Sequence, residues 1–141
     1  MKKNILAGTA LLLIFAASQC LAEAKIPNLV GTWEVKSEGG VIVRGDKTGK
    51  TTHWEEKQTK LKAEITITKQ EGRVVFGTFK SKKATENFIG VIGHDNKTFH
   101  LADEDGFADG KIINNDRIEV IYRHVTPTDT VIAAGVWTRK K

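Results

Sequence analysis

The side chains in this 141-residue chain best suited to chemistry are four histidines, one acidic cluster and a single tyrosine. The histidines are His53, His94, His100 and His124. Imidazole can act as a general base, a proton shuttle or a metal ligand near neutral pH. Zinc sites combine it with carboxylates or thiolates at matched spacing. No two of these histidines stand at such a spacing, so they read as solvated or strand-surface side chains. The acidic stretch "DEDGFADG", Asp103 to Gly110, has the start of a calcium loop, with Asp103 and Asp105 at alternate positions and Gly106 for the turn. The closing bidentate Glu is missing at the required distance, and a β-turn is the better reading. There is no Ser-His-Asp order, nucleophile elbow, Gly-rich phosphate loop or acid pair. The expectation is a protein that is not an enzyme, with no metal and no cofactor.

The start of the chain, "MKKNILAGTALLLIFAASQCLAEA", has a charged opening at Lys2 and Lys3 and an apolar stretch from Ile5 to Ala17. Small residues follow, and cleavage is expected after Ala22 or Ala24. This is the layout of a secretory signal peptide, and the apolar stretch is short of the ~20 residues that a membrane span needs. Residues 1–24 are therefore expected to be removed, leaving residues 25–141 as one domain in a secreted or periplasmic protein. Cys20 is the lone cysteine. Gln19 before it is not the small residue that lipidation would need. The exported chain then has no thiol nucleophile, thiolate metal site or disulfide. The net charge is +5, but the basic residues are scattered (Lys60, Lys62, Lys82, Lys83 and the tail Arg139-Lys140-Lys141). No recognition motif accompanies them, so nucleic-acid binding is not expected.

Any chemistry must be positioned by strands. Short apolar runs recur about every ten residues with turn residues between them, the pattern of an all-β barrel or sandwich. The strands expected are 31–37, 63–69, 73–81, 87–93, 97–102, 108–113, 117–124 and 130–139. The turns "KQEGR", "GHDNK", "DEDG", "NND" and "TPTD" supply the Gly, Asn, Asp and Pro that tight turns require. Links this short make neighbours antiparallel. An even number of strands lets the last close on the first, giving an eight-stranded antiparallel up-and-down barrel without open edges. Residues 39–62 are the irregular part, either an extra hairpin (41–44 with 51–57) or a surface flap. Gly77, Gly90 and Gly135 fall inside strand patterns, where they mark bends or close backbone approach.

The first strand opens "LVGTWEV" and the last closes "GVWTRKK". If the two strands pair, Trp33 and Arg139 meet at one barrel end, where a guanidinium can stack on the indole and close it. This arrangement resembles the calycin superfamily, the lipocalins and avidins, in which a Gly-x-Trp opens the first strand and a basic residue of the last strand packs over the Trp. The stretch "EITITKQEGRVVFGTFKS", residues 64–81, is similar to the second and third strands of the avidin–streptavidin family. The resemblance implies a calycin/avidin-like barrel. It does not imply biotin binding: Val35 stands where the family has a ligand Asn and Phe79 where it has a ligand Tyr, while Ser81 fits the ligand Ser. Each lost buried polar contact costs on the order of 1–3 kcal/mol.

The function expected is an exported barrel that binds a small apolar or amphipathic ligand, with Phe79, Ser81 and Tyr122 lining its mouth. The first alternative is a protein-interaction or inhibitor module of the cell envelope with a filled barrel; the second is a barrel enzyme. A void above ~300 Å³ would favour a ligand. A filled interior would favour interaction, and converging polar groups with perturbed pKa values would favour catalysis. Residues 88–93 and 131–137 are apolar on both faces, so homo-oligomer formation through these two strands is also expected.

Overall fold

The computed structural model describes residues 25–44 and 53–141. The leader with Cys20, and Thr51 and Thr52 of the candidate hairpin, lie outside the described residues. Eight strands form: β1 (Gly31–Val43), β2 (Lys60–Glu71), β3 (Val74–Lys80), β4 (Thr85–Ile92), β5 (Thr98–Ala102), β6 (Phe107–Asn114), β7 (Arg117–Val125) and β8 (Asp129–Arg139). They follow one another around a closed barrel, and every neighbouring pair is antiparallel. Among the described residues no helix is long and apolar enough to cross a membrane.

The alternation that makes this a barrel is regular. In β4, Glu86, Phe88, Gly90 and Ile92 face inward, and Asn87, Ile89 and Val91 face out. In β8, Asp129, Val131, Ala133, Gly135 and Trp137 are buried, while Ile132 and Ala134 are exposed. Two apolar clusters fill the inside. The larger is built on Trp33, Val35, Ile65, Ile67, Val75, Phe88, Phe99, Ile118 and Trp137, and the smaller on Trp54, Leu61, Val131 and Ala133. The Phe99 ring meets Trp137 edge-on at 5.6 Å between centroids. Gly90 makes room for it, since a Cβ there would come within 2.7 Å of the Phe99 ring.

β1 runs longer than the sequence pattern indicates and takes up the first half of the hairpin that was one of two alternatives for residues 39–62. Residues 41–43 continue β1 and pair with β8, from Val41↔Val131 to Val43↔Asp129. Residues 53–59 contain no strand. The reason is the partner: the long apolar β8 offers hydrogen bonds along its full length, and Gly39 and Gly40 carry β1 past it. Gly39 lies so close to the β8 backbone that a Cβ would sit 2.2 Å from the Ile132 carbonyl.

One barrel end is closed by the two terminal motifs. Trp33 pairs across the sheet with Arg139, is fully buried and has the guanidinium 4.2 Å above its ring. Arg139 donates to the carbonyls of Val30 (2.7 Å), Asn28 (2.8 Å) and Asn115 (2.8 Å). The indole N–H donates to the Leu29 carbonyl at 3.1 Å. Gln70 receives the Leu29 amide at 2.8 Å and donates to the Pro27 carbonyl at 2.9 Å. The segment before β1 is thereby held as a plug, with Leu29 completely buried.

Truncation of Trp33 removes the centre of this plug. Trp33→Ala is expected to destabilise the fold by about 3–5 kcal/mol, a large part of the ~5–15 kcal/mol available to a domain of this kind. Urea denaturation followed by far-UV circular dichroism measures it. A loss below about 1 kcal/mol would show that the closed end does not depend on the indole.

Candidate functional site

The opposite mouth is built differently. There the inward rows of several strands end in polar residues. Glu86 is the first inward residue of β4, His124 the last of β7 and Asp129 the first of β8. The β5–β6 turn adds Asp103 and Asp105. The connection before β2 adds His53 and Trp54, and Ser81 follows β3 directly.

The β5–β6 turn is the β-turn expected from the sequence. The Asp103 amide donates to the Gly106 carbonyl at 3.1 Å. Asp103 Oδ1 in turn accepts the amides of Gly106 (2.7 Å) and Asp105 (3.3 Å). A side chain at Gly106 is excluded, because its Cβ would lie 2.4 Å from the Tyr122 hydroxyl. That close approach lets Tyr122 donate to Asp105 Oδ1 at 2.8 Å, with Asp103 Oδ1 at 3.3 Å and His124 Nδ1 at 3.2 Å. His124 Nε2 then reaches Asp129 Oδ1 at 2.7 Å, deep inside the barrel wall. Thr126 holds that carboxylate from the other side at 2.9 Å. The phenol has one proton to give. The shortest of its three contacts, to Asp105, takes it.

His53 enters from the other side of the mouth. Its Nδ1 lies 2.8 Å from Ser81 Oγ, and its ring meets Phe79 edge-on at 4.7 Å. Its Nε2 faces Glu86 Oε2 at 3.0 Å. The two are close enough for an ion pair, but the approach is off the N–H direction, and both buried atoms are left without a hydrogen bond. Glu86, Asp103 and Asp105 each place a carboxylate oxygen within 4.8 Å of the others.

Beneath these groups lies a cavity of about 60 Å³. Its floor and walls are apolar, with Trp137, Phe88, Ile65 and Val35 among them. His53, Asp103, Asp105, Tyr122 and His124 line its upper part, and Trp54 and Leu61 narrow the entrance. Among the described residues no lysine or arginine lines it. The volume is well below the ~300 Å³ of an ordinary ligand pocket. It has room for a few waters or a small group.

Electrostatics follow from burial. Desolvation pushes the Glu86 carboxyl above its ordinary value, against the pull of His53. Desolvation also raises Asp103, against the turn amides that favour its charge. Burial first, and then the neighbouring carboxylates, push the Tyr122 phenol far up, so it is a hydrogen-bond donor throughout the physiological range.

Of the residues singled out in the sequence, Phe79 and Tyr122 line the cavity, whereas Ser81 stands behind His53 and orients it. Two histidine expectations are corrected. His53 and His124 are not solvated: their side chains are 10% and 5% exposed, inside the mouth. His124 is turned inward by its place in the row Ile118, Val120, Tyr122, His124. His94 and His100 are exposed as expected, and His100 pairs with Asp109 at 2.7 Å on the outer surface. Glu86 and Asp129 carried no signal as isolated residues. Their place at the head of inward rows, Phe88, Gly90, Ile92 after Glu86 and Val131, Ala133, Gly135, Trp137 after Asp129, was the readable sign.

The raised carboxyls set the sign of a pH effect. A group whose native pKa lies above its unfolded value leaves the native state holding more protons, so stability falls as pH rises from about 4 through the raised value. Glu86→Gln removes the charge and keeps the shape. Its melting temperature minus that of the wild type is expected to grow more positive between pH 4 and pH 8, measured in chelator by thermal denaturation. A pH-independent difference would mean that the Glu86 carboxylate carries no such burden.

No protein-family model matches the chain, and no curated protein sequence matches it. Among solved structures, the chain is similar to a redesigned β-barrel, with a TM-score of 0.51 and 8% sequence identity over 80% of this chain and 92% of that one. At that identity the likeness concerns the fold alone: a closed antiparallel barrel that takes this shape with almost entirely different side chains.

Proposed function

We propose that this protein is an exported, calycin-type binding barrel, not an enzyme, and that it takes a small cationic group at its polar mouth. The observation that carries this reading is the gathering of Glu86, Asp103 and Asp105 over an apolar cavity that, among the described residues, has two histidines but no lysine or arginine in its lining, in a chain whose net charge is +5. Like charges brought together in a partly desolvated place favour either protonation or a counter-cation. The cavity volume supports a ligand of a few heavy atoms instead of a lipid-sized one. The Tyr122–His124–Asp129 chain supports binding over catalysis, because its polar atoms satisfy one another and brace the mouth. The leader supports a secreted or periplasmic location.

The test is amide-resolved NMR with fragment sets of one charge class each. Small organic amines are expected to shift the amides around residues 53–55, 79–81, 103–106 and 122–124, and small carboxylates to leave them in place. Equal response to both classes, or to neither, would overturn the reading.

A second reading is favoured by the outer surface, where alternation leaves large apolar side chains in water. Ile132 is 61% exposed and neighbours Ile121, Ile42 and Val125, all exposed, on β7 and β1. On the far side of the barrel, Ile89 and Val91 of β4 stand near Phe107. We propose that a second copy of the chain covers such a face, since each apolar side chain removed from water contributes ~1.5–3 kcal/mol. Ile132→Lys is expected to give a folded monomer where the wild type is oligomeric, read by light scattering after gel filtration. Ala133→Lys places an ammonium among inward residues and is expected to prevent folding. A monomeric wild type at tens of micromolar would overturn self-association.

A further inference from the structure

The mouth contains more donor atoms than a monovalent organic cation would use. We propose that Glu86, Asp103, Asp105 and His53 form a binding site for a single divalent first-row transition-metal ion, of the Zn²⁺ or Mn²⁺ type. The proposal rests on the reading of the mouth as a cation site and names its ligand.

Two independent features lead to it. The first is the acid cluster, one oxygen from each of three carboxylates within 4.8 Å of the others. The second is His53, whose side chain is nine-tenths buried and comes from a different part of the chain. Its Nε2 faces Glu86 Oε2 at 3.0 Å, and neither atom has a hydrogen bond. A buried imidazole nitrogen and a buried carboxylate oxygen are both costly to leave without one. A metal ion between them would satisfy both at once.

The surroundings fit ligation. Ser81 Oγ, 2.8 Å from His53 Nδ1 and itself anchored by the Lys83 and Ala84 amides at 3.1 and 3.3 Å, fixes the ring with Nε2 toward the acids, the second bond that metal-bound histidines ordinarily make; metal binding displaces any proton on Nε2. Asp103 and Asp105 are held by the turn amides and by Tyr122 through their Oδ1 atoms. The cavity of about 60 Å³ beside them has room for waters that would complete a coordination shell. A set of three carboxylates with one imidazole is a mixed oxygen and nitrogen set. Imidazole shifts preference toward zinc, iron and their neighbours, whereas calcium and magnesium sites are built from oxygen alone.

The exposed pair His100–Asp109 is the competing zinc site on this molecule and supplies the control. The tag-free exported chain, stripped with chelator, is titrated with zinc chloride, manganese chloride and calcium chloride by isothermal calorimetry. One zinc ion per chain is expected. Glu86→Gln and His53→Gln should each weaken it at least tenfold, and His100→Gln should leave it unchanged. Broadening of amide signals by Mn²⁺ locates the ion without any substitution and is expected at residues 53–55, 86 and 103–106.

Loss of zinc in His100→Gln with retention in the two mouth variants would overturn the proposal. So would broadening confined to the outer surface, or calcium binding as tight as zinc and indifferent to His53→Gln. If no metal binds the mouth while organic amines still shift its amides, the metal assignment falls and the cation-binding reading stands. If neither binds, both fall.

Discussion

Everything in this molecule depends on the closure of β1 onto β8. The pairing runs from Trp33↔Arg139 to Val43↔Asp129 and abolishes the sheet edge, so each strand has one inner and one outer face. A slip by one residue would turn every inward row out. The register is pinned at one end by a specific interaction: Arg139 can stack on Trp33 and reach three carbonyls only when the two residues are opposite each other. At the other end the same register brings Asp129 into the barrel beside His124. The closed end and the polar mouth are thus two consequences of one alignment.

The two ends obey opposite physical rules. At the closed end Arg139 donates to three backbone carbonyls and faces the Asp116 carboxylate at 3.3 Å while its plane covers an indole. At the mouth, acids converge under partial burial, which raises the Glu86 and Asp103 carboxyls above their ordinary values. A chain under selection for stability alone would replace Glu86 with an apolar residue, since its row otherwise continues Phe88, Gly90, Ile92. Local rules are broken in this way mainly where a site needs them broken. The surplus that tolerates the break comes from the well-packed half of the barrel around Trp33, Phe99 and Trp137.

Much of the fold was legible in the sequence because turn chemistry and alternation are local signals. "GHDNK" and "DEDG" fall wholly between strands in the structure, and "KQEGR", "NND" and "TPTD" each contain a strand junction, and Trp33 meets Arg139 as the two terminal motifs imply. The irregular part, residues 39–62, was not legible. Whether Val41–Val43 continue β1 depends on β8, almost ninety residues away, and no local pattern reports the length of a partner. Of the site, Phe79 and Tyr122 were found through strand position. His53 was not, because it lies in a segment without strands and is turned inward by the mouth it enters. The acids were read one segment at a time: "DEDG" was weighed as a calcium loop against a β-turn, and the turn is what forms. The turn nonetheless delivers Asp103 and Asp105 to a carboxylate contributed by another strand.

The inward strand positions Val35 and Phe79 are apolar, and Ser81 serves His53. The polar groups stand instead at the turns and strand ends, above an interior packed down to about 60 Å³. A deep pocket binds by area, and area needs volume. A rim of charge over a small apolar floor acts by its field, which strengthens as water is excluded and needs little volume at all. The narrowness of the cavity and the crowding of acids above it follow from one arrangement: apolar side chains fill the inward rows, and the acids stand where those rows end.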